Sequence, residues 1–177
     1  MATIIAFAGS NSSVSINFKL VKFTADLIEN HDVKVINLAD YPLPMYSYDE
    51  EKNNGYNNLL ISLKNEIKNS DGILLAVNEH NGHPSAYFKN VIDWLSRVER
   101  NFLADKKIFL MATSGGQRGA ISALELVEKL LPRFGGEIVT TFSLPSFNEN
   151  FDKEKGIIPT KLASIHQKTL DQFISKF

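Results

Sequence analysis

An open, doubly wound parallel α/β sheet is the fold class this sequence predicts. Short, nearly all-apolar runs alternate with amphipathic segments along the whole chain, and the turns that follow those runs are rich in Gly, Ser and Asn. Strands of a parallel sheet read as continuous apolar runs because crossover helices cover both of their faces. At 177 residues the chain is long enough for one such domain, spanning 1–177, with no room for a second.

Thr3 to Ala8 is the first apolar run, and the helix after it carries Phe18, Val21, Ala25 and Ile28 on one face, ending near Asn30. Asp32 to Leu38 alternates as a strand near a sheet edge does. A Pro-containing loop from Asp40 to Gly55 leads to a helix over 56–69, with Leu59, Leu60, Leu63 and Ile67 at helical spacing, and Ser70-Asp71-Gly72 breaks it before the strand Ile73 to Val77. A polar loop, 78–83, stops at Pro84, whose missing N–H suits the first turn of a helix running to about Val98. Lys107 to Ala112 is a fourth strand, and Ala120, Leu124, Val127 and Leu131 mark the helix after its loop. A fifth strand, Glu137 to Phe142, and a helix from about Thr160 to Phe177 complete the order. Right-handed crossovers place these helices on the two faces of the sheet.

With 19 basic and 20 acidic residues the net charge is -1, so the chain has neither a nucleic-acid footprint nor the acidic excess of a charge-steered electron carrier. The expected partner is a small molecule. The absence of cysteine excludes disulfides, thiolate metal sites and cysteine nucleophiles, and it suits a reducing cytoplasm. Met1-Ala2-Thr3 enters the first strand without a basic leader, and no apolar run is long enough to span a bilayer, so a cytoplasmic protein with no membrane partner is expected.

In such sheets ligands bind outside the carboxyl ends of the strands, where strand order reverses. Three loops leave those ends: 9–17, 78–83 and 113–119. The first, Gly9-Ser10-Asn11-Ser12-Ser13-Val14-Ser15-Ile16-Asn17, joins a buried strand to a helix. Its hydroxyls and the unpaired N–H groups of the helix mouth point to a bound phosphate. Lacking Lys, it is suited to hold a phosphate rather than to transfer one. Ser10, Ser12 and Ser15 also read as helix caps. Asn17 is a poor helix former, which points to a side-chain contact. The other two loops offer amide and backbone groups for a flat, polar-edged ring. A phosphate at one end and a planar heterocycle at the other describe a mononucleotide such as FMN. The binding candidates are Gly9, Ser10, Ser12, Ser15, Ile16 and Asn17; Asn78, Glu79, His80, Asn81 and Gly82; and Thr113, Ser114, Gly115, Gly116, Arg118 and Gly119. Arg118 sits near a helix start, where its charge opposes the dipole unless an anion lies nearby. His80 and His83 have the spacing of metal ligands, but nothing completes a site, and no metal is expected. Tyr87, Val91 and Trp94 form a stripe that reads as core or as a subunit contact.

The chain resembles the NADPH-dependent FMN reductases of the flavodoxin-like fold, which include chromate, quinone and azo reductases. Gly9-Ser10 followed by Ser15-x-Asn17 is similar to the family's Gly-Ser-x-Arg-x-x-Ser-x-Asn phosphate loop, and Leu43-Pro44-Met45-Tyr46 to its second-strand loop. Asn78-Glu79-His80-Asn81, Pro84 and Phe88-Lys89-Asn90-Val91-Ile92-Asp93-Trp94 resemble its Pro-Glu-Tyr-Asn segment and Leu-Lys-Asn-x-Ile-Asp-Trp helix, and Thr113-Ser114-Gly115-Gly116 stands at its third flavin loop. Ser12 replaces the family's Arg, which removes a charge-assisted contact to phosphate. His80 replaces its Tyr. The resemblance implies a flavodoxin-like αβα sandwich of five parallel strands in the order 2-1-3-4-5, FMN as cofactor, NADPH or NADH as co-substrate, a small electron acceptor such as a flavin or quinone, and a homodimer or homotetramer. The cofactor carries the hydride chemistry, so no catalytic base is assigned. A non-enzymatic flavin or nucleotide sensor using the same loops is the alternative.

Overall fold

Along each central strand successive side chains leave opposite faces of the sheet, and both sets are apolar. Ile5, Phe7, Ile73, Leu75, Ile108 and Leu110 build one buried layer, while Ile4, Ala6, Leu74, Ala76, Phe109 and Met111 build the other. A computed structural model describes all residues from 1 to 177. Its elements are β1 (Thr3–Ala8), α1 (Ile16–Asp26), β2 (Asp32–Ile36), α2 (Tyr48–Asn54), α3 (Asn58–Lys68), β3 (Gly72–Val77), β4 (Glu79–His80), β5 (His83–Pro84), α4 (Ala86–Val98), β6 (Lys107–Thr113), α5 (Ile121–Leu130), β7 (Glu137–Leu144), α6 (Phe147–Asn150), β8 (Phe151–Asp152), β9 (Gly156–Ile157) and α7 (Thr160–Ile174). The main sheet is parallel, in the order β2-β1-β3-β6-β7, which is the predicted 2-1-3-4-5 arrangement. α3, α4 and α5 pack on one face, α1 and α7 on the other. No helix is long and apolar enough to cross a membrane.

Four local features depart from expectation. α1 stops at Asp26, four residues early, where the Leu27 N–H turns back to the Thr24 carbonyl and the Ile28 N–H to that of Ala25. α2 lies inside the segment expected to be loop; its Tyr-Asp-Glu-Glu-Lys-Asn-Asn string has no apolar period, and it forms because the Ser47 hydroxyl caps the Glu50 N–H and acidic residues fill the first turn. Pro84 is not in the first turn of α4 but in β5, and the helix starts at Ala86 behind Ser85, whose hydroxyl accepts from Phe88 N–H. The 78–83 loop is a hairpin: Asn81 and Gly82 have φ of 53° and 78°, the positive pair that a type I′ turn requires.

The Tyr87, Val91, Trp94 stripe belongs to the interior of the chain. Trp94 Nε1 and Asn90 Nδ2 both donate to Pro44 O, Asn90 Oδ1 accepts from Tyr46 N–H, and the Tyr87 hydroxyl bridges Leu38 O and Tyr41 O. Burial pushes the Tyr87 phenol up to about 12. Val91 and Trp94 are thus buried in the core, while Tyr87 stays half-buried. Outside them, Glu51 accepts from Tyr46, Tyr56 and Arg97; the Tyr56 hydroxyl, followed by that of Tyr46, holds its carboxyl below the usual range.

On the opposite face, His166 of α7 is only 2% exposed, ringed by Phe23, Phe109 and Phe142. Its Nε2 lies 2.9 Å from Thr24 Oγ1, whose own proton is directed to Leu20 O, so the neutral Nε2–H tautomer fits. Burial lowers its pKa to about 4. The folded state therefore refuses a proton that the unfolded chain accepts near pH 6.5, so this contribution is whole above pH 6.5 and is lost as pH falls through about 4. The loss amounts to about 3 kcal/mol. Denaturant melts from pH 7 down to pH 4 should show it, and His166→Gln should flatten that part of the profile; an unchanged slope in the variant would contradict the assignment.

Candidate functional site

The chain leaves β1 for the sheet edge at β2 and then crosses back to β3, so the strand order reverses between β1 and β3. The three expected loops meet there because β1, β3 and β6 are neighbours. Polar side chains lock them together. Asn17, 2% exposed, donates from Nδ2 to Thr113 O at 3.0 Å and accepts at Oδ1 from Thr113 N–H at 2.9 Å, which ties the first loop to the third. Ser85 Oγ donates to Gly9 O, which ties the hairpin side to the first. Glu79 Oε2 accepts from Ala123 N–H at 3.0 Å, joining the second loop to α5. α5 needs that carboxylate, since Ala120, at φ 63°, offers no cap of its own.

The predicted residues thus divide into a frame and a set of free groups. The Asn17 side chain, Thr113 and the Glu79 carboxylate face one another or other protein atoms rather than an open space; Thr113 Oγ1 donates to Leu144 O. Gly9 is glycine because a Cβ there would collide with the Phe88 ring, and Gly119 because its Cβ would strike Ser143 and the 144–145 backbone. These two were expected beside the ligand; the structure places their hydrogens against protein. By contrast, a Cβ at Gly82 or Gly115 would meet nothing within 4 Å, and one at Gly116 only the Ser114 hydroxyl at 3.8 Å. Those backbones border open space.

At the mouth of α1 the capping reading holds for Ser15 alone, whose Oγ accepts from Phe18 N–H; Ser10 Oγ and Ser12 Oγ instead accept from Ser12 N–H and, at 3.4 Å, Val14 N–H within the loop that precedes the helix. Each hydroxyl keeps its proton free to donate. The backbone N–H groups of Ser10, Asn11, Ser13, Ile16 and Asn17 have no protein acceptor. No charged side chain lies between Gly9 and Phe18, so the cradle is made of neutral donors and helix dipole alone.

In the second loop, Asn78 Oδ1 is buried with no hydrogen-bond partner, the one such side-chain atom in the chain. Leaving a buried acceptor unmet is costly, so it calls for an external N–H or O–H. His80 is exposed, its Nε2 3.4 Å from Asn78 Nδ2, and pairs across the hairpin with His83, whose Nδ1 lies 3.3 Å from Asn81 O. No group of three or more His, Cys, Asp or Glu side chains gathers as a metal site. Arg118 is exposed beside the start of α5, with Nη2 donating to Ser122 Oγ at 3.0 Å and its other donors free. Sequence reasoning missed Ser85 and Ser146. The Ser146 N–H donates to Gly116 O and the Phe147 N–H to Ser114 O, so the turn after β7 buttresses the third loop.

The free groups match FMN. Five backbone N–H groups without a protein acceptor and three serine hydroxyls with free protons are what a phosphate would require; a flavin ring edge presents an imide N–H of the kind Asn78 Oδ1 lacks; and a Cβ at Gly82 or Gly115 would meet open space. A family model described as NADPH-dependent FMN reductase matches residues 2–157. An NADPH:quinone oxidoreductase of Arabidopsis thaliana is 32% identical over 127 residues, which is 70% of this chain and 63% of that protein. A quinone reductase of Escherichia coli K12 is 26% identical over 121 residues, 63% of this chain and 64% of its own. The chain therefore spans just under two thirds of the length of these relatives. Among solved structures, the flavoenzyme NAD(P)H:(acceptor) oxidoreductase FerB from Paracoccus denitrificans superposes with a TM-score of 0.80 at 26% identity, covering 99% of this chain and 96% of that one. An apo NADH:FMN oxidoreductase superposes at 0.79 with 20% identity, covering 100% and 90%, a likeness of fold.

Proposed function

The chain belongs to the NADPH-dependent FMN reductase family, and on that premise we propose that it is an FMN-dependent oxidoreductase that takes a hydride from NADPH or NADH and passes two electrons to a small acceptor such as a flavin or quinone. Bound in the crevice, FMN supplies the redox chemistry. The protein binds and orients. Ser10, Ser12 and Ser15 donate hydroxyl protons to the phosphate, joined by the Ile16 N–H and its neighbours, while the Asn17–Thr113 pair keeps that cradle in register with the third loop. Asn78 Oδ1 accepts from the ring, and the backbones of Glu79, His80, Asn81 and Gly82 line one side of it. Ser114, Gly115 and Gly116 line the other. Arg118 brings the one positive charge of the three loops toward the ring's electron-rich edge, where charge builds on reduction.

The observation that carries this reading is the set of unpaired donors at the α1 mouth, which Asn17 bonds to the third loop and Ser85, just past the hairpin, bonds through Gly9 O. Anaerobic addition of NADPH to FMN-loaded protein tests it. The flavin absorbance should bleach and return when a quinone is added. A sensor would bind the flavin and leave its colour unchanged, and that outcome would overturn the proposal. The expected homodimer or homotetramer rests on the resemblance, and a cytoplasmic location on the absence of cysteine.

A further inference from the structure

Away from these loops lies a groove of about 550 Å³ between α1 and the α6–β8 segment. None of the residues assigned above lines it. Phe23 and Phe151 form its aromatic wall: the rings meet edge to face with centroids 5.5 Å apart, and Phe151 stacks on buried Phe147 at 4.6 Å. Gly156, at φ 73°, lets β9 press against the other side of Phe23, where any Cβ would collide with the ring. The wall is therefore rigid and partly exposed.

Lys19, Lys22 and Lys153 rim this groove against a single carboxylate, Asp26. None of the three lysines makes a salt bridge or side-chain hydrogen bond, although four other basic side chains of the protein pair with carboxylates. Asp152 and Glu154 flank Lys153 in sequence but do not line the groove, and Asp152 is held by the Glu154 and Lys155 N–H groups. Lys19 and Lys22 lie three apart on one face of α1, and Lys153 approaches from the β8–β9 turn. Two positive charges remain uncompensated beside a stacking surface, on a chain whose net charge is -1.

We propose that this groove binds a planar heterocycle carrying a phosphate monoester, with the ring on Phe23 and Phe151 and the phosphate between the lysines. The surplus charge matches a phosphate dianion rather than a carboxylate, and the size lies in the range of small-ligand sites. An adenosine phosphate has both parts. Two sources share that chemistry: a free adenine nucleotide, or the phosphoadenosine end of NADPH. Only the second rests on the reductase reading.

Calorimetric titration of the FMN-loaded protein with 2′-AMP, 5′-AMP and adenosine tests the site. Both phosphates should bind, adenosine about tenfold or more weakly, and Lys153→Glu or Lys22→Glu should weaken the phosphates by about tenfold while sparing adenosine. Phe151→Leu should weaken all three ligands, with thermal melts confirming a folded variant. KM values then separate the sources. A rise for NADPH and none for NADH in Lys153→Glu assigns the groove to the dinucleotide, and unchanged values for both assign it to a free nucleotide. Absence of binding by either AMP at millimolar concentration, or equal binding by wild type and Lys153→Glu, would overturn the proposal. Flavin bleaching by NADH would be unaffected by that failure, so the two readings fall separately.

Discussion

Asn17→Ala should destabilise the protein by about 2–5 kcal/mol and sharply weaken flavin binding. The change removes both partners of the Thr113 backbone, a donor and an acceptor that are buried beneath the site. Each orphaned group costs about 1–3 kcal/mol, far more than the roughly 0.5 kcal/mol that Ala recovers as a better helix former. The cradle at the mouth of α1 also loses its register with the third loop, so cofactor affinity falls through geometry even though the Asn17 side chain faces no ligand. Urea unfolding followed by FMN titration of the folded variant measures both effects. A stability loss under about 1 kcal/mol with full flavin affinity would show that the clamp is incidental.

Ser15→Asp separates two roles that one side chain performs. Ser15 caps α1 through Phe18 N–H, and Asp is an equally good cap, with a favourable charge at a helix N-terminus. Stability should hold or rise. The same carboxylate would face a phosphate carrying nearly two negative charges near pH 7, a repulsion of about 3 kcal/mol or more at the effective dielectric of a protein surface, so FMN should bind over about 100-fold more weakly. Fluorescence titration with FMN, beside a thermal melt, reads both. Unchanged flavin affinity would remove the phosphate from Ser15, and a large stability loss would contradict the cap.

Continuous apolar runs, one alternating run near the sheet edge and helical apolar spacing made the five parallel strands and their crossover helices legible, because core burial imposes these patterns on the sequence directly. Where burial does not speak, the pattern fell silent. α2 has an exposed polar surface and rests on a Ser47 cap and the Glu51 hydrogen bonds, so only the Ser-x-x-Glu spacing signals it. The hairpin likewise carries a sequence mark, Asn81-Gly82, that outweighs the pull of Pro84 toward a helix start.

The meeting of the three loops was legible, the contacts of their individual residues less so. Ser, Gly and Asn at a strand's carboxyl end mark a binding loop, but they do not say whether a group faces ligand or frame. Asn17, Glu79, Gly9 and Gly119 proved to hold the frame, through partners as many as 96 residues distant. Ser85 and Ser146 work the same way and carry no signal in the local sequence, since their partners Gly9 and Gly116 are defined only once the sheet has formed. The Lys-Asn-x-Ile-Asp-Trp string belongs with them: Asn90 and Trp94 grip Pro44, which holds the segment after β2 against α4.

In the proposed function, neutral donors at the mouth of α1 hold a phosphate. Parallel titrations of the wild-type apoprotein with FMN and with riboflavin, which differ only in that group, test it most directly. FMN should bind at least about 100-fold more tightly, since several hydrogen bonds to a charged group act together, each contributing about 1.5–3 kcal/mol. Equal affinities for the two flavins would contradict the account.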